Sequence, residues 1–409
     1  MHGASHRPRV LCINSDRDLN AELDRMGVAV QDRERILSNV RYYTLKLSGV
    51  NRTQASLIKE AFLSYGGNAI EKENAPDRID IMLVGTHMAF RKAAKWIASE
   101  EMGSSTLDVE IEAAIALFES KPVSPDDITL PDPKSLRMIA ELADRTLVMG
   151  ILNVTPDSFS DGGMFFDHVA AVDHALSMIE DGADIIDIGG ESTRPGSEPV
   201  SVEDEISRIV PVVRELSKQI EKPISIDTYR AAAAAAALDA GASIINDISG
   251  MVFDPDMKSV VARYKCPVIV MHTKGTPKEM QRSPAYEDLM GEVTEYLRQC
   301  IFDAVEAGID ERVIIVDPGI GFGKTVDHNL EIIRRLAEFK SLGRPILMGT
   351  SRKSTIGQVL GGLPPDERLE GTAATVALSI ANGANIVRVH DVKQMSRVAK
   401  MTDAVLRGV

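Results

Sequence analysis

Polar and charged side chains recur at the ends of short apolar runs in the later part of the chain. Such residues do not help a buried strand to form, and any one of them could simply cap a strand or the helix after it. Their recurrence at corresponding places is hard to explain by packing, so we interpret them as one site. The residues are Asn153, Asp187, Asp227, Asn246, His272, Asp317, Ser351 to Lys353, Arg388 and His390.

These residues divide by chemistry into two groups. Two carboxylates, an amide and an ammonium can match the donor and acceptor edge of a flat heterocycle such as an aminopyrimidinone. A second group offers donors and positive charge suited to a diphosphate, and its amide oxygen could bind Mg2+. A ring pocket beside a diphosphate end predicts displacement of pyrophosphate from a carbon attached to the ring. The ring group is Asp227, Asn246, Asp317 and Lys353, and the anion group is Asn153, Arg388 and His390.

Eight apolar runs rich in β-branched residues hold these side chains, from TLVMGILNV (146–154) to ANIVRVHD (384–391). Helical stretches of roughly 12 to 25 residues separate the runs. Nearly continuous apolar character is typical of parallel strands covered on both faces. We therefore predict an α/β fold, a (β/α)8 TIM barrel, in which the carboxyl ends of the strands meet at the face that carries catalysis.

A small α/β domain is predicted to precede the barrel. Residues 121–135 are rich in Pro and Asp and lack periodicity, which is typical of a linker. We place the boundary near residue 133, with a domain of unknown role at 1–133 and the catalytic barrel at 134–409. The predicted elements of the first domain are a strand at 41–50, a helix at 52–67, a strand at 77–86 and a helix at 88–100.

Composition restricts the class of protein. Hydrophobic residues make up 44% of the chain and charged residues 26%, as in ordinary globular proteins. A formal charge of −14 argues against nucleic acid or an anionic membrane as a partner. The three cysteines form no C-x-x-C pair for a disulfide framework or zinc site. Neither a signal peptide nor an apolar stretch of about 18 residues occurs, so we expect a soluble cytoplasmic protein.

Two segments after the first two strands of the barrel are too long for ordinary β–α turns. Residues 155–166 and 190–201 are rich in Gly, Pro, Ser and Asp, which is typical of mobile lids. A third segment, 317–325, nearly spells a nucleotide-binding P-loop. Pro318 stands where that motif requires its first Gly, so we predict no nucleotide site there.

Taken together, these segments resemble the dihydropteroate synthase family over roughly residues 145–409. The first two matching strings are long and specific, and the others follow in the order that the family has. The part before the barrel resembles the extra domain of longer family members. The strings are MGILNVTPDSFSDGG (149–163), IDIGGESTRPGS (186–197), SIDTYR (225–230), INDISG (245–250), VMHTKGTP (270–277), VDPGIGFGKT (316–325), GTSRKSTIG (349–357) and RVHDV (388–392).

The resemblance implies a transferase of folate biosynthesis and a target of sulfonamides. Such an enzyme condenses 6-hydroxymethyl-7,8-dihydropterin pyrophosphate with p-aminobenzoate, giving 7,8-dihydropteroate and pyrophosphate. In such an enzyme the diphosphate leaves before or as the amine attacks, and the resemblance implies that Asp161 would stabilise the cationic pterin. We also expect Mg2+ as a cofactor, small molecules as partners and a homodimer.

The resemblance also implies a role for each matching residue. The pterin would contact Asp187, Asp227, Asn246, Met271, Asp317 and Lys353. The pyrophosphate would contact Asn153, Arg388 and His390, with Asn153 also binding Mg2+. The p-aminobenzoate pocket would contain Phe159, Thr193, Arg194, Pro195, Phe322, Lys353 and Ser354. The catalytic residues would be Asp161, Lys353 and Arg194.

Two other functions compete with this interpretation. A methyltetrahydrofolate-dependent methyltransferase has a related pterin-binding barrel but needs no pyrophosphate end, so Arg388 and His390 favour the synthase. A non-catalytic pterin-binding protein would not need Asn153, Asp161 and Lys353 together. Pyrophosphate release that depends on p-aminobenzoate would distinguish the three.

Overall fold

The structure, a computed structural model, describes residues 11, 13, 15–71, 78–100, 106–120, 128–155, 164–191, 200–275, 280 and 284–408. Contacts divide the chain into two compact units, Met1–Ala116 and Leu117–Val409. The domain boundary near residue 133 stays a prediction. In the part of the chain that is described, no helix is long and apolar enough to cross a membrane.

The first unit is a small antiparallel sheet covered by helices. Strand β3 lies between β1 and β2, and α3 and α4 pack against the sheet. The core includes Phe62 and Phe90, whose rings meet edge to face at 4.8 Å. The predicted small α/β domain is therefore confirmed. Its elements are α1 Asp16–Arg25, α2 Val30–Val40, β1 Tyr42–Asn51, α3 Arg52–Ser64, β2 Asn68–Glu71, β3 Arg78–Thr86 and α4 His87–Glu100, followed by α5 Leu107–Glu119.

The second unit is a barrel of eight parallel strands, as predicted. The strands are β4 Leu147–Asn153, β5 Ile185–Gly189, β6 Ile224–Asp227, β7 Ile244–Asp247, β8 Val268–Met271, β9 Ile314–Asp317, β10 Leu347–Met348 and β11 Ile386–Val389. From β4 to β9 each strand pairs with the next, β10 pairs with β11, and β11 pairs with β4. A parallel bridge between Val316 and Ile346 joins the regions of β9 and β10. The sheet is thus closed, which confirms the (β/α)8 fold.

Helices surround the barrel and cover the apolar outer faces of its strands. Three residues of the Ala231 to Ala237 run are fully buried, and α9 packs beside α8 and α10. The helices are α6 Pro133–Glu141, α7 Met164–Glu180, α8 Val202–Leu216, α9 Ala231–Asp239, α10 Met257–Tyr264, α11 Leu289–Glu306, α12 Val326–Arg335, α13 Ser354–Val359, α14 Leu369–Ala381 and α15 Val392–Arg407.

A partly buried ionic cluster lies at the amino-terminal end of the barrel. Asp184, just before β5, accepts hydrogen bonds from both terminal nitrogens of Arg145 at 2.8 and 2.7 Å and from the amide of Val148 at 3.0 Å. Burial alone would raise the pKa of Asp184, but Arg145 and the amide of Val148 together lower it below its ordinary value. The ionised carboxylate therefore stabilises the folded state.

We predict that Asp184→Asn lowers the free energy of unfolding at pH 7 by about 2 kcal/mol, less than for a fully buried pair because Arg145 is partly exposed. An acid with a lowered folded pKa stabilises the fold above its unfolded pKa and loses that effect as pH falls through the folded value. Urea unfolding should show the difference between variant and parent above about pH 4 and its disappearance in stronger acid. A difference that stays constant down to pH 3 would contradict this electrostatic origin.

Candidate active site

Strand register brings the predicted residues to one rim of the barrel. Asn153 pairs with Gly189, Gly189 with Asp227, and Asp227 with Asn246, each at the carboxyl end of its strand. Further round the barrel, Met271 pairs with Asp317. The alignment of strand ends therefore brings these predicted residues together at one rim.

Arg388 contacts two of the predicted acids, Asp187 and Asp227. From β11 its Nε donates to Oδ2 of Asp187 at 2.6 Å, and its Nη2 donates to Oδ2 of Asp227 at 2.7 Å. Asn246 donates from Nδ2 to the same Asp187 oxygen at 3.1 Å. Burial would lower the pKa of Arg388, but the two carboxylates raise it, so the guanidinium stays charged. The result is a mostly buried cation held between two acids.

Each of the two acids keeps one oxygen for another donor. Oδ1 of Asp187 and Oδ1 of Asp227 are buried and have no hydrogen-bond partner among the described residues. Buried polar atoms without partners are rare and cost roughly 1 to 3 kcal/mol each. Burial, with a smaller contribution from Asp187, raises the pKa of Asp227 to about 7 against the opposing effect of Arg388. A ligand that presents N–H groups would satisfy both oxygens.

Asp317 and Lys353 lie on the other side of the barrel mouth. Oδ1 of Asp317 accepts the amide of Gly319 at 2.7 Å. Lys353 donates from Nζ to the carbonyl of Ile320 at 2.7 Å and lies 4.4 Å from the ring centroid of Phe322. Burial lowers the pKa of Lys353 to about 8, although Asp317 acts in the opposite direction. Lys353 thus lies between the predicted pterin and amine pockets.

The turn after β9 depends on a glycine that no other residue can replace without a shift of the backbone. Gly319 has a φ of 72°, and an added Cβ would lie 2.0 Å from the carbonyl oxygen of His272. Lys324 closes the turn from inside, because its Nζ donates to the carbonyls of Gly319 at 3.0 Å and Phe322 at 3.1 Å. Nδ1 of His272 lies 2.7 Å from the same ammonium.

Lys324 therefore supports the turn from inside through its contacts with the carbonyls of Gly319 and Phe322. The Lys324 side chain is 3% exposed, and burial lowers its pKa well below the ordinary value. Sequence reasoning placed His272 at the rim, but the structure pairs it with this buried lysine. The sequence offered no signal for that pairing beyond the P-loop likeness.

Asn153 and His390 complete the rim. A Cβ at Gly189 would lie 3.8 Å from Oδ1 of Asn153 and 3.6 Å from Cβ of Asp227, so both border one space. Nδ1 of His390 lies 3.1 Å from the hydroxyl of Ser351. The amide oxygen of Asn153 suits Mg2+. No group of three or more His, Cys, Asp or Glu among the described residues could hold a metal, so Mg2+ here would also need oxygen ligands from a diphosphate.

Not every predicted residue can be placed. Phe159, Asp161, Thr193, Arg194 and Pro195 lie outside the described residues, while Ser354 begins α13 directly after Lys353. One relation differs from the sequence interpretation, which put Arg388 at an anion end separate from the ring end. The structure pairs Arg388 with two acids that were predicted to contact the pterin, Asp187 and Asp227, because these carboxylates need a cation. The ring end and the anion end of the site therefore share Arg388.

Comparison with known proteins identifies the family. Residues 149–390 match the family model described as pterin binding enzyme. Dihydropteroate synthase of Bacillus subtilis is 54% identical over 263 residues, 64% of this chain and 90% of that protein. A probable bifunctional folylpolyglutamate synthase/dihydropteroate synthase of Haloferax volcanii is 38% identical over 384 residues, 92% of this chain and 45% of that protein.

A solved structure is similar over the barrel. Dihydropteroate synthase from Clostridium difficile, determined in the presence of pteroic acid, is 47% identical with a TM-score of 0.62. The match covers 64% of this chain and 98% of that chain. The chain therefore belongs to the dihydropteroate synthase family of pterin-binding enzymes, which are transferases.

Proposed function

We propose that this chain makes 7,8-dihydropteroate by joining p-aminobenzoate to 6-hydroxymethyl-7,8-dihydropterin pyrophosphate. The observation that carries the proposal is the pair of unpartnered buried oxygens, on Asp187 and Asp227, on either side of Arg388. Ring N–H donors of a pterin would satisfy them, and a diphosphate on the same ligand would meet the Arg388 cation. A pterin that carries a diphosphate therefore fits this rim better than a pterin alone.

The charge of each residue indicates its role in the reaction. The carbon–oxygen bond to the diphosphate breaks, and its electron pair leaves with pyrophosphate. Arg388, His390 and Asn153 would bind that leaving group, and Mg2+ held with it would neutralise its developing charge. The amine nitrogen then forms the new bond to carbon and releases a proton to solvent. No strong general base is needed, because an aromatic amine is already neutral at pH 7.

The remaining roles stay proposals for the same site. Lys353 and Asp317, with Asn246 and Met271, would complete the pterin pocket. Asp161 would stabilise the cationic pterin, and Phe322 and Ser354 would border the amine together with Phe159, Thr193, Arg194 and Pro195. A homodimer in the cytoplasm is also a proposal, which sedimentation and cell fractionation would test.

The residues at this rim of the barrel do not favour the two competing functions. A methyltransferase acting on methyltetrahydrofolate would have no leaving group for Arg388 and His390 to bind. A non-catalytic pterin-binding protein would need no cation of variable protonation such as Lys353 beside its ring pocket. We therefore propose the synthase as the function of the barrel.

Steady-state assays test the proposed function. The full-length chain, supplied with the pterin pyrophosphate and Mg2+, should release pyrophosphate only when p-aminobenzoate is added. Methyltetrahydrofolate with a thiol acceptor should give no methyl transfer. Pyrophosphate release that does not depend on p-aminobenzoate would exclude the proposal. Methyl transfer from methyltetrahydrofolate, with no pyrophosphate release, would also exclude it.

Sulfonamides are expected to compete with p-aminobenzoate, because both present an aniline to the same pocket. At saturating pterin pyrophosphate, increasing sulfonamide should raise the KM for p-aminobenzoate and leave kcat unchanged. The measurement is a matrix of initial rates over both concentrations. Inhibition that lowers kcat and KM in proportion would place the drug outside the amine pocket.

A further inference from the structure

A buried asparagine connects two neighbouring β–α segments at the mouth of the barrel. Asn329 lies on α12 and is 2% exposed. Its Oδ1 accepts the amide of Gly321, in the turn after β9, at 2.9 Å. Its Nδ2 donates to the hydroxyl of Thr355, on α13, at 2.9 Å. One side chain therefore joins the turn after β9 to the helix that follows β10.

The two partners determine the orientation of the Asn329 amide. The backbone N–H of Gly321 can only donate, so it requires the carbonyl oxygen of Asn329. The NH2 group must then face Thr355, whose hydroxyl oxygen can accept. Asn329 and Thr355 are both buried, and polar groups left unpaired in the interior are costly. The two hydrogen bonds therefore favour one arrangement of the two segments.

Lys353 lies along the same two segments. It directly precedes α13, two residues before Thr355, and its Nζ donates to the carbonyl of Ile320 at 2.7 Å. Ile320 is the chain neighbour of Gly321, and an added Cβ at Gly321 would lie 3.2 Å from Cδ of Lys353. The backbone that Asn329 holds is therefore the backbone that accepts the Lys353 ammonium.

The position of the Lys353 ammonium matters because charges of the rim act on it. Burial lowers the pKa of Lys353, whereas Asp317 and Asp227 act in the opposite direction. Electrostatic interactions depend on distance, so a shift of the ammonium changes its interaction with both acids. A lysine side chain is flexible and has no fixed direction of its own. Its position must therefore come from its surroundings, which include the carbonyl of Ile320.

We propose that Asn329 is a positioning residue for the pterin substrate, because it holds the turn and the helix between which Lys353 is fixed. The proposal rests on the proposed function of the barrel, which places Lys353 and Asp317 beside the ring. It does not make Asn329 a catalytic residue, since the amide bonds to Gly321 and Thr355 and acts on the ligand through Lys353.

Asn329→Ala in the full-length chain should raise the dissociation constant of a free pterin, measured by calorimetry, about ten-fold or more. Asn385→Ala is the matched control. Asn385 also accepts an amide, from Ile346 at 2.9 Å, and donates to the carbonyl of Leu142 at 3.3 Å, but it lies just before β11 at the other end of the barrel. The control should lower the Tm and leave pterin affinity unchanged. If Asn329→Ala also changes only the Tm, the inference is wrong.

Two variants of Thr355 decide the matter if Asn329→Ala does not fold. Thr355→Val keeps the shape of the side chain but removes the hydroxyl that accepts from Asn329. Thr355→Ser keeps the hydroxyl and loses a buried methyl group. We expect Thr355→Val to weaken pterin binding and Thr355→Ser to retain the affinity of the parent chain, although both lower the Tm. The opposite order of affinities would show that packing alone matters and would overturn the proposal.

A double-mutant cycle with Lys353→Met tests whether Asn329 acts through Lys353. In a chain that lacks the ammonium, Asn329→Ala should cause no further loss of pterin affinity. Additive losses in an active parent chain would refute the inference alone. A parent chain that forms no dihydropteroate would refute the proposed function and the inference with it, so the two failures are distinguishable.

Discussion

Asp317→Asn should weaken the binding of a free pterin by roughly 5- to 150-fold, corresponding to about 1 to 3 kcal/mol. The amide oxygen can keep the hydrogen bond from Gly319, which leaves the NH2 group facing the ligand. A ring N–H that needs an acceptor would then meet a donor. Calorimetric titration with a pterin that carries no diphosphate measures the loss directly.

Asp247→Asn is the matched control for this change. Asp247 is also buried at a strand end and also accepts an amide two residues later, from Ser249 at 2.7 Å. Successive side chains of a strand point to opposite faces, so Asp247 faces away from the side that Asn246 occupies. The control should reduce stability without reducing pterin affinity. If both variants lost pterin affinity equally, the assignment of Asp317 to the ring pocket would be wrong.

Arg388→Ala should lose affinity for both a free pterin and pyrophosphate, each by a hundred-fold or more. Removing one partner of a buried ion pair costs about 3 to 5 kcal/mol, and here two acids lose their cation. The charge-assisted contact to the leaving group disappears as well. Titrating the variant separately with a free pterin and with pyrophosphate measures the two losses.

The pH dependence of pterin affinity gives a second measurement of the effect of Arg388 on the pterin pocket. The pKa of Asp227 is raised to about 7 even with Arg388 present. In the parent chain, pterin affinity should therefore fall as pH drops through about 7 and the carboxylate takes up a proton. In Arg388→Ala that midpoint should move to higher pH, whereas Arg388→Lys should largely retain it. Unchanged free-pterin binding in Arg388→Ala would mean that the ring and anion ends are independent after all.

The pattern of apolar runs that end in polar residues explains why the barrel could be predicted. Its strands are covered on both faces, so their apolar runs are nearly continuous, and polar residues occur where each run reaches the rim. Elements with few apolar residues were not predicted. Helix α1 buries only Leu19 and Leu23, β2 has four residues, and α2 buries only Ser38. Helix α5 was also missed, although it is rich in apolar residues.

Helix α6 was missed for a different reason. Its first residue is Pro133, inside the segment interpreted as a linker, and Asp132 caps it by accepting the amides of Lys134 and Ser135. Proline is common at the first position of a helix and aspartate just before it. The same Pro and Asp that indicate a linker can therefore also begin a helix.

At the site itself, the contacts of long side chains could not be predicted from the sequence. Strand ends determine where Cα atoms lie, so Asn153, Asp187 and Asp227 could be placed from the sequence. The guanidinium of Arg388 lies several bonds from its backbone, and its partners depend on which neighbouring charges are buried. The ion pairs of Arg230 with Glu191 and Glu205 were missed for the same reason, since both glutamates belong to the β5–α8 unit and Arg230 follows β6.

The most direct test of the central claim follows the amine into the product. The purified chain is incubated with 6-hydroxymethyl-7,8-dihydropterin pyrophosphate, Mg2+ and p-aminobenzoate carrying a stable isotope in its ring, and the products are analysed by mass spectrometry. We expect dihydropteroate that retains the whole label, with one pyrophosphate released for each molecule formed. Pyrophosphate without labelled dihydropteroate, or no consumption of the pterin substrate, would contradict the assignment of this barrel as a dihydropteroate-forming transferase.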